Sequence, residues 1–487
     1  TCGMCTILYN GRTVNSCLLL VPQLDGSSLY TVDYFSKNRR LSVLQQAMVD
    51  AGIVQCGYCT PAMVLALENL LKNNPEPSRP EITDALSGIL CRCTGYEQIF
   101  EAVRLARRRL SNPDSGLLPD IPEFRQDLAI VGKNRGKVDG AKLVRGEKAF
   151  VEDFVDSGSY HLLMLRSPLA HAYIKELDVS EAEALPGVAA VITHKNCPDI
   201  YYNQAGQGFP EPSPYDRKMF EPKVRHIGDR VAAVIAESPE TARKAMSLIK
   251  VSYEPLEPVL NYEDAVKPGA PLIHGGPFET AGKGPDPNSP KNPDPREGKI
   301  LYQFPIGSDP QKNLAASVEG GIGNIEEGLA QAEKIITREY SAAQVQCTPL
   351  EPHVAYAKME GDRVVIHAST QVPWHVRRIT AYVLGLKENQ VRVIKERVGG
   401  GFGAKQDIVL EEVCAYAAYI TGKPVLFRMT REEEFTASRT RHPMKIKVTL
   451  GTKNNGLLTA VLMEVFANTG PFGSHCLTVP MNACSKS

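Results

Sequence analysis

The sequence predicts a multidomain α+β protein. Three observations carry that expectation: a length of 487 residues, which at about 150 residues per domain suggests about three domains; a switch from strand-like alternation to helical period near residue 40; and two polar, Pro- and Gly-rich interruptions, at 111–128 and 275–299. The composition, 43% hydrophobic and 23% charged, excludes a wholly disordered chain, a collagen and a small disulfide scaffold. Lys and Arg number 55, as do Asp and Glu, which argues against a broad nucleic-acid-binding face. No run reaches the roughly 18 apolar residues of a membrane span, and the best stretch, Cys17-Leu18-Leu19-Leu20-Val21, is strand-sized. No signal peptide is read in the opening Thr1-Cys2-Gly3, so a cytoplasmic location is expected.

Residues 1–33 read as the remnant of a small β-rich, ferredoxin-like domain. Ile7-Leu8-Tyr9 leads through Asn10-Gly11, a strong hairpin signal, into Thr13-Val14-Asn15. Residues 34–110 take helical period. Leu41, Leu44 and Met48 share one face, and Thr60-Pro61 opens a helix over Ala62 to Lys72. Ile82, Leu86 and Ile89 mark a third helix after Ser78, and Ile99, Val103, Ala106 and Leu110 a fourth, which together suggest a bundle. The 111–128 stretch reads as a linker. Residues 129–274 alternate strands and helices, with an apolar strand Val231–Ala236, a helix Pro239 to Ile249 and a strand Lys250–Tyr253. The 275–299 stretch reads as an exposed loop. Strands and helices resume from 300 to 487, with a helix expected over Ile408 to Thr421.

The twelve cysteines are unevenly placed. Cys197, Cys347, Cys414, Cys476 and Cys484 are scattered and read as small core residues. Cys2, Cys5 and Cys17 form one group; Cys56, Cys59, Cys91 and Cys93 form another. Zinc, a redox CxxC and disulfides are the competing readings. Disulfides suit a secreted chain, and Cys91-x-Cys93 is tight for a zinc knuckle. Two thiolates one residue apart suit an iron–sulfur cluster. The first group matches the last three ligands of a plant-type loop, C-x4-C-x2-C and a distant fourth Cys, so its first ligand is expected upstream of Thr1. In the second group, each cysteine pair precedes an expected helix, whose N–H groups and dipole favour an anionic cluster.

Val398-Gly399-Gly400-Gly401-Phe402-Gly403-Ala404-Lys405-Gln406 is the sharpest motif of the second half. Consecutive glycines let amide N–H groups approach an anionic or oxo ligand, and the spacing fits neither a P-loop nor G-x-G-x-x-G.

With the cysteines, these stretches resemble the xanthine oxidase family of molybdenum hydroxylases. Gln55-Cys56-Gly57-Tyr58-Cys59-Thr60-Pro61 and Leu90-Cys91-Arg92-Cys93-Thr94-Gly95-Tyr96 are similar to its helical-cluster signature. Arg166-Ser167-Pro168-Leu169-Ala170-His171-Ala172, Gly228-Asp229-Arg230-Val231-Ala232 and Tyr253-Glu254-Pro255-Leu256 are similar to its first molybdenum-side domain, and Ser369-Thr370-Gln371 and Gly400-Gly401-Phe402-Gly403 to its cofactor loops. Only the 111–128 linker stands where other members insert a flavin domain. The resemblance is therefore to bacterial xanthine dehydrogenase-like chains that fuse the iron–sulfur and molybdenum parts.

The resemblance implies a fold of four parts: a β-grasp ferredoxin-like remnant (1–33), a helical [2Fe–2S] bundle (34–110), an α/β hammerhead-type domain (129–274) and the start of a molybdopterin-binding domain (300–487). It implies an oxidoreductase that hydroxylates an sp2 carbon of a purine or related N-heterocycle with oxygen from water; the aldehyde-oxidising branch fits less well. A non-catalytic electron carrier is the reading from another class. Implied cofactors are two [2Fe–2S] clusters, on Cys2, Cys5 and Cys17 and on Cys56, Cys59, Cys91 and Cys93, and a molybdopterin-bound molybdenum, its cytosine dinucleotide form included. FAD is not expected on this chain. Gln55 and Cys93 are expected to approach the pterin, and Gln371, Gly400, Gly401, Phe402 and Gly403 the metal. Phe402 and Gln406 are expected to face the substrate. Xanthine oxidases typically carry Glu where Gln406 stands, and an amide lacks its charge and acid–base capacity. Glu351 and His353 are read as structural. The general-base Glu is expected beyond Ser487. A flavoprotein subunit or other electron acceptor, and a homo-oligomeric state, are the expected partners.

Overall fold

A computed structural model describes residues 2–113, 127–133, 136–206, 208, 213–303 and 306–485. The chain forms two compact units. One comprises Thr1–Asp153 with Pro349–Glu351 and Arg397–Gly400; the other comprises Phe154–Thr348, Pro352–Glu396 and Gly401–Ser487.

The first unit begins with the expected hairpin. Thr6–Tyr9 pairs antiparallel with Arg12–Asn15, and Leu29–Tyr30 adds on the other side of Thr6–Tyr9. Asn10 and Gly11 turn it at φ 47° and 78°, the left-handed pair a two-residue hairpin demands. Four main helices follow: Val43–Asp50, Thr60–Asn73, Arg79–Leu86 and Glu97–Ser111. Ser42 with Gln45 and Ser78 with Glu81 form capping boxes at the first and third. A single core joins hairpin and helices through Leu8, Leu44, Met48, Met63, Leu67 and Val103. A short helix, Gly140–Val144, adds Leu143 and Val144 to it. Most of the expected linker at 111–128 lies outside the described residues.

The second unit is built on a mixed seven-stranded sheet in the order Val391–Lys395, Arg363–Ala368, Val354–Glu360, Val425–Arg428, Tyr160–Arg166, Arg230–Ala236, Val188–Thr193. Val231–Ala236 is wholly buried, as an apolar run covered on both faces should be. Helices Pro373–Leu384 and Glu411–Thr421 contribute Val376, Ile379, Val413 and Cys414 to the largest core. Three-stranded sheets also form from Lys223–Val224, Ala172–Asp178 and Lys250–Pro255, and from Lys334–Ala342, Met444–Thr452 and Leu458–Ala467.

Two expectations are corrected. The 275–299 stretch is not simply an exposed loop. Phe278–Thr280 pairs with Gly284–Pro285 and with Ile300–Tyr302, and Phe278, Asp286 and Glu297 are buried. Charge holds it in place of apolar area: Glu297 accepts from Lys223 at 2.6 Å and from Arg225 at 2.8 Å, and Asp294 accepts from the Tyr173 hydroxyl at 2.8 Å. The expected helix from Ile408 begins only at Glu411. Ile408 is held extended by Gln204, and the Glu411 carboxylate accepts from the N–H groups of Val409 and Leu410 at 3.0 and 3.1 Å. A side chain capping its own backbone delays the helix start.

Candidate functional site

The first unit gathers Cys56, Cys59, Cys91 and Cys93. Cys59 stands at the N-cap of Thr60–Asn73, where the helix leaves its first N–H groups free. Gly57 turns the loop at φ 88°, and a Cβ there would lie 2.8 Å from Leu143 Cδ1. Cys91 and Cys93 come from a turn rather than from a helix end. The Tyr96 hydroxyl shapes that turn, accepting from the Cys91 N–H at 2.7 Å and donating to the Ile89 carbonyl at 2.9 Å. The Thr94 N–H and hydroxyl donate to Cys91 Sγ at 3.4 and 3.3 Å.

The thiols pair: Cys93 with Cys56, Cys59 with Cys91, and Cys91 with Cys93. Hydrogen bonds from Cys59 and Cys93 pull Cys91 down to about 2, and the donors Cys59 and Cys93 are pushed up. The physical reason is plain: four adjacent thiols cannot all ionise unless cations balance them. Among the described residues no three His, Cys, Asp or Glu converge on one ion. Four neighbouring thiols, two from a C-x-x-C and two from a C-x-C, suit the two bridged irons of one cluster. The donor set therefore fits a [2Fe–2S] cluster.

Cys5 and Cys17 are brought together nearby in sequence. Burial works against the Cys5 thiolate, but hydrogen bonds from Cys17 outweigh it and hold that thiol below its ordinary value. Cys2 is fixed through its carbonyl, which accepts from the Leu90 N–H at 2.9 Å. At Gly3, φ 76°, a Cβ would lie 2.3 Å from the Gly88 carbonyl oxygen, so this loop admits only glycine.

Two cations converge on the peptide groups beside Cys56. Arg397 Nε donates to the Cys56 carbonyl at 3.0 Å, and its NH2 donates to the Gln55 carbonyl, which also accepts from Lys137. Asp139 lies 3.1 Å from Arg397 NH1. Gly399 packs so closely that a Cβ there would lie 2.8 Å from Tyr58 Cδ2 and 2.4 Å from Glu351 Cβ. Glu351 accepts from the Gly399 N–H at 2.6 Å.

The second unit carries the rest of the glycine loop. Gln371 is exposed at the end of the segment that follows Arg363–Ala368. Its N–H donates to the Lys405 carbonyl at 2.8 Å, and its Oε1 accepts from the Gly403 N–H at 3.3 Å. A Cβ on residue 401 would collide with that same oxygen, which requires Gly401. Gly400 and Gly403 have φ 99° and 93°, and Phe402 adopts φ 53° with 47% of its surface exposed. Phe402 is thus presented outward and is not core. Lys405 is buried, its ammonium 2.8 Å from Ser369 Oγ. His353 is buried and bridges Glu434 (2.8 Å from Nδ1) and the Ala404 carbonyl (3.1 Å from Nε2). The loop combines glycine-permitted close approach, an exposed carboxamide and an outward aromatic ring, a cradle that fits a flat oxo-bearing cofactor.

Gln406 closes the turn, its N–H donating to the Gly403 carbonyl at 3.3 Å. Asp407 beside it is buried. Arg439 Nε lies 2.6 Å from one oxygen, His475 Nδ1 3.1 Å from the other, and the Ser474 hydroxyl donates to the carboxylate as well. Burial alone would raise this carboxyl; Arg439 and His475 outweigh it and hold it at about 2.

The structure thus brings Gln371, Gly401, Phe402, Gly403 and Gln406 together in the second unit, whereas the four thiols, Gln55 and Gly400 belong to the first. Sequence reasoning missed Arg397, Lys405, Asp407 and the Glu434–His353 pair. Arg397 and Lys405 each stand two residues outside the glycines, and that nearness was their only signal. Asp407 meets partners 32 and 68 residues away, at Arg439 and His475, which no local pattern announces. Cys414 and Cys476 are buried as core residues, Cys197 and Cys347 are partly exposed, and the Cys484 side chain lies outside the described residues.

Three family descriptions match the chain: "[2Fe-2S] binding domain" over residues 31–104, "Aldehyde oxidase and xanthine dehydrogenase, a/b hammerhead domain" over 145–257, and "Molybdopterin cofactor-binding domain" over 306–487. "Probable hypoxanthine oxidase XdhD" of Escherichia coli (strain K12) is 51% identical over 99% of this chain and 50% of its own length. "Nicotinate dehydrogenase large molybdopterin subunit" of Eubacterium barkeri is 31% identical over 72% of this chain and 73% of its own length. The structure of the aldehyde oxidoreductase of Desulfovibrio gigas aligns with a TM-score of 0.76 at 27% identity, covering 96% of this chain and 49% of that one. The chain spans about half the length of the hypoxanthine oxidase and aldehyde oxidoreductase relatives it matches.

Proposed function

Because the chain belongs to the xanthine oxidase family of molybdenum hydroxylases, we propose that it carries the iron–sulfur and molybdenum-side residues of an enzyme hydroxylating an sp2 carbon of a purine or related N-heterocycle. The observation that carries this reading is the Gln371 carboxamide seated on Gly401 and Gly403, with Phe402 turned outward beside it. When bound, the molybdenum cofactor supplies a two-electron oxidation, and the clusters take those electrons one at a time.

The chain's own residues divide the work. Cys2, Cys5 and Cys17 hold one cluster, and Cys56, Cys59, Cys91 and Cys93 the other. Gln55 and Cys93 meet the pterin. The Gln371 amide NH2, fixed by the bond its Oε1 accepts from the Gly403 N–H, and the backbone of the Gly400–Gly403 turn would hold the metal's oxygen ligands as preorganised donors. Phe402 offers a ring face to a planar substrate, and Gln406 donates or accepts one of its polar edges. The functional division of the chain is 1–33, 34–110, 129–274 and 300–487, joined by the two polar segments. A flavoprotein subunit serves as electron acceptor, and the enzyme is a homo-oligomer.

An aldehyde substrate is the second reading. It is favoured by Gln406, which lacks the acid expected of a purine site, and by the likeness to an aldehyde oxidoreductase. Turnover of hypoxanthine, xanthine and benzaldehyde by the full-length protein separates the two. Metal analysis with electron paramagnetic resonance tests both: two distinct [2Fe–2S] signals with molybdenum are expected. Iron without molybdenum, in protein made with cofactor supply, leaves only an electron carrier. Zinc alone removes both enzyme readings and the electron carrier with them.

A further inference from the structure

We propose that Arg397 sets the reduction potential of the cluster held by Cys56, Cys59, Cys91 and Cys93, with Asp139 as its counterweight. The inference rests on the ligand assignment above. Reducing that cluster adds one negative charge, and the positive charges nearest to it stabilise the reduced form in proportion to their closeness. The guanidinium is hydrogen-bonded to the carbonyl of a ligand residue, Cys56, at 3.0 Å, and to the carbonyl of Gln55 before it. Lys137 donates to the same Gln55 carbonyl. Paired with these two cations is Asp139, 3.1 Å from Arg397 and 3.5 Å from Lys137, while the Glu351 carboxylate is held farther along the segment by the Gly399 N–H. The hydrogen bonds of both cations fall directly on the Gln55–Cys56 carbonyls, whereas Asp139 meets the cations and not the peptide.

The placement of Arg397 is built, not incidental. Its own N–H donates to the Ala149 carbonyl at 2.9 Å. Two residues on, Gly399 lies against Tyr58, inside the Cys56–Cys59 loop, where no side chain fits. The side chain is partly buried, so its charge is only partly screened. Both ends of the segment thus fix the guanidinium on the cysteine loop. A positive charge there raises the affinity of this cluster for an electron relative to the cluster on Cys2, Cys5 and Cys17.

The test is a mediated dithionite titration of the full-length protein, followed by electron paramagnetic resonance, on wild type, Arg397→Met and Asp139→Asn. Arg397→Met is expected to make reduction of one cluster at least tenfold less favourable, about 59 mV for one electron. Asp139→Asn is expected to move the same signal the opposite way. The other cluster's signal stays where it was. A merely structural role would displace both variants in one direction. The proposal is overturned if the signals persist and neither moves, if both move alike, or if both clusters shift equally. Should Arg397→Met lose its iron, the sign of the Asp139→Asn shift decides alone. A wild-type protein without [2Fe–2S] signals overturns the ligand assignment instead.

Discussion

The Oε1 atom of Gln371 occupies the space a methyl group on residue 401 would need: a Cβ there would lie 2.4 Å away. Gly401→Ala therefore acts on the carboxamide alone, since residue 401 is not among those with positive φ. In the full-length enzyme kcat is expected to fall about 100-fold, the cost of losing one preorganised donor. Iron content should stay constant. Unchanged turnover would separate Gln371 from the chemistry.

Cys91 is held by two thiols and by Thr94. Cys91→Ser should remove one of two clusters, taking about half the iron and one paramagnetic signal. Iron analysis before and after the substitution checks this. Full iron retention would exclude Cys91 as a ligand.

Gln406 presents an amide where a purine oxidase typically has an acid. Gln406→Glu should raise kcat/KM for xanthine relative to benzaldehyde by about tenfold or more, because one correctly placed polar group discriminates strongly. Steady-state kinetics with the two substrates reads the ratio. A ratio that does not move would take Gln406 out of the substrate pocket.

Asp407 is ionised against Arg439, and its carboxyl sits at about 2, below the ordinary 3.8. A carboxyl lowered by folding stabilises the fold above its unfolded value and loses that contribution as pH falls through its folded one. The window here runs from about 3.8 down to about 2. Asp407→Asn removes the carboxylate paired with Arg439, at a cost of about 3 kcal/mol at pH 7. Denaturation midpoints of the two proteins should differ most at neutral pH and converge towards pH 2. A constant gap would mean that the carboxylate charge is not what holds the pair.

What the sequence disclosed was what local chemistry decides. Asn10-Gly11 forms the hairpin because those residues accept left-handed backbone, and Thr60-Pro61 opens its helix because a missing N–H costs nothing there. The grouping of Cys56, Cys59, Cys91 and Cys93 was legible because each pair lies within a single short loop. The errors came from distant partners. The 275–299 stretch looked too polar to be buried, yet Lys223 and Arg225 neutralise Glu297 from another part of the chain. The helix expected from Ile408 is delayed by Gln204, some two hundred residues earlier in the chain. Arg397 carries no pattern of its own; only the fold sets it on the cysteine loop.

Phe402 combines a left-handed backbone with a ring nearly half in water. Each is unfavourable for an isolated fold, the backbone alone by about 1–2 kcal/mol. Durability and turnover therefore pull on this residue in opposite senses. Glycine in its place should make the cofactor-free protein melt later and the loaded enzyme work more slowly, so a selection for heat resistance alone would erase the ring first.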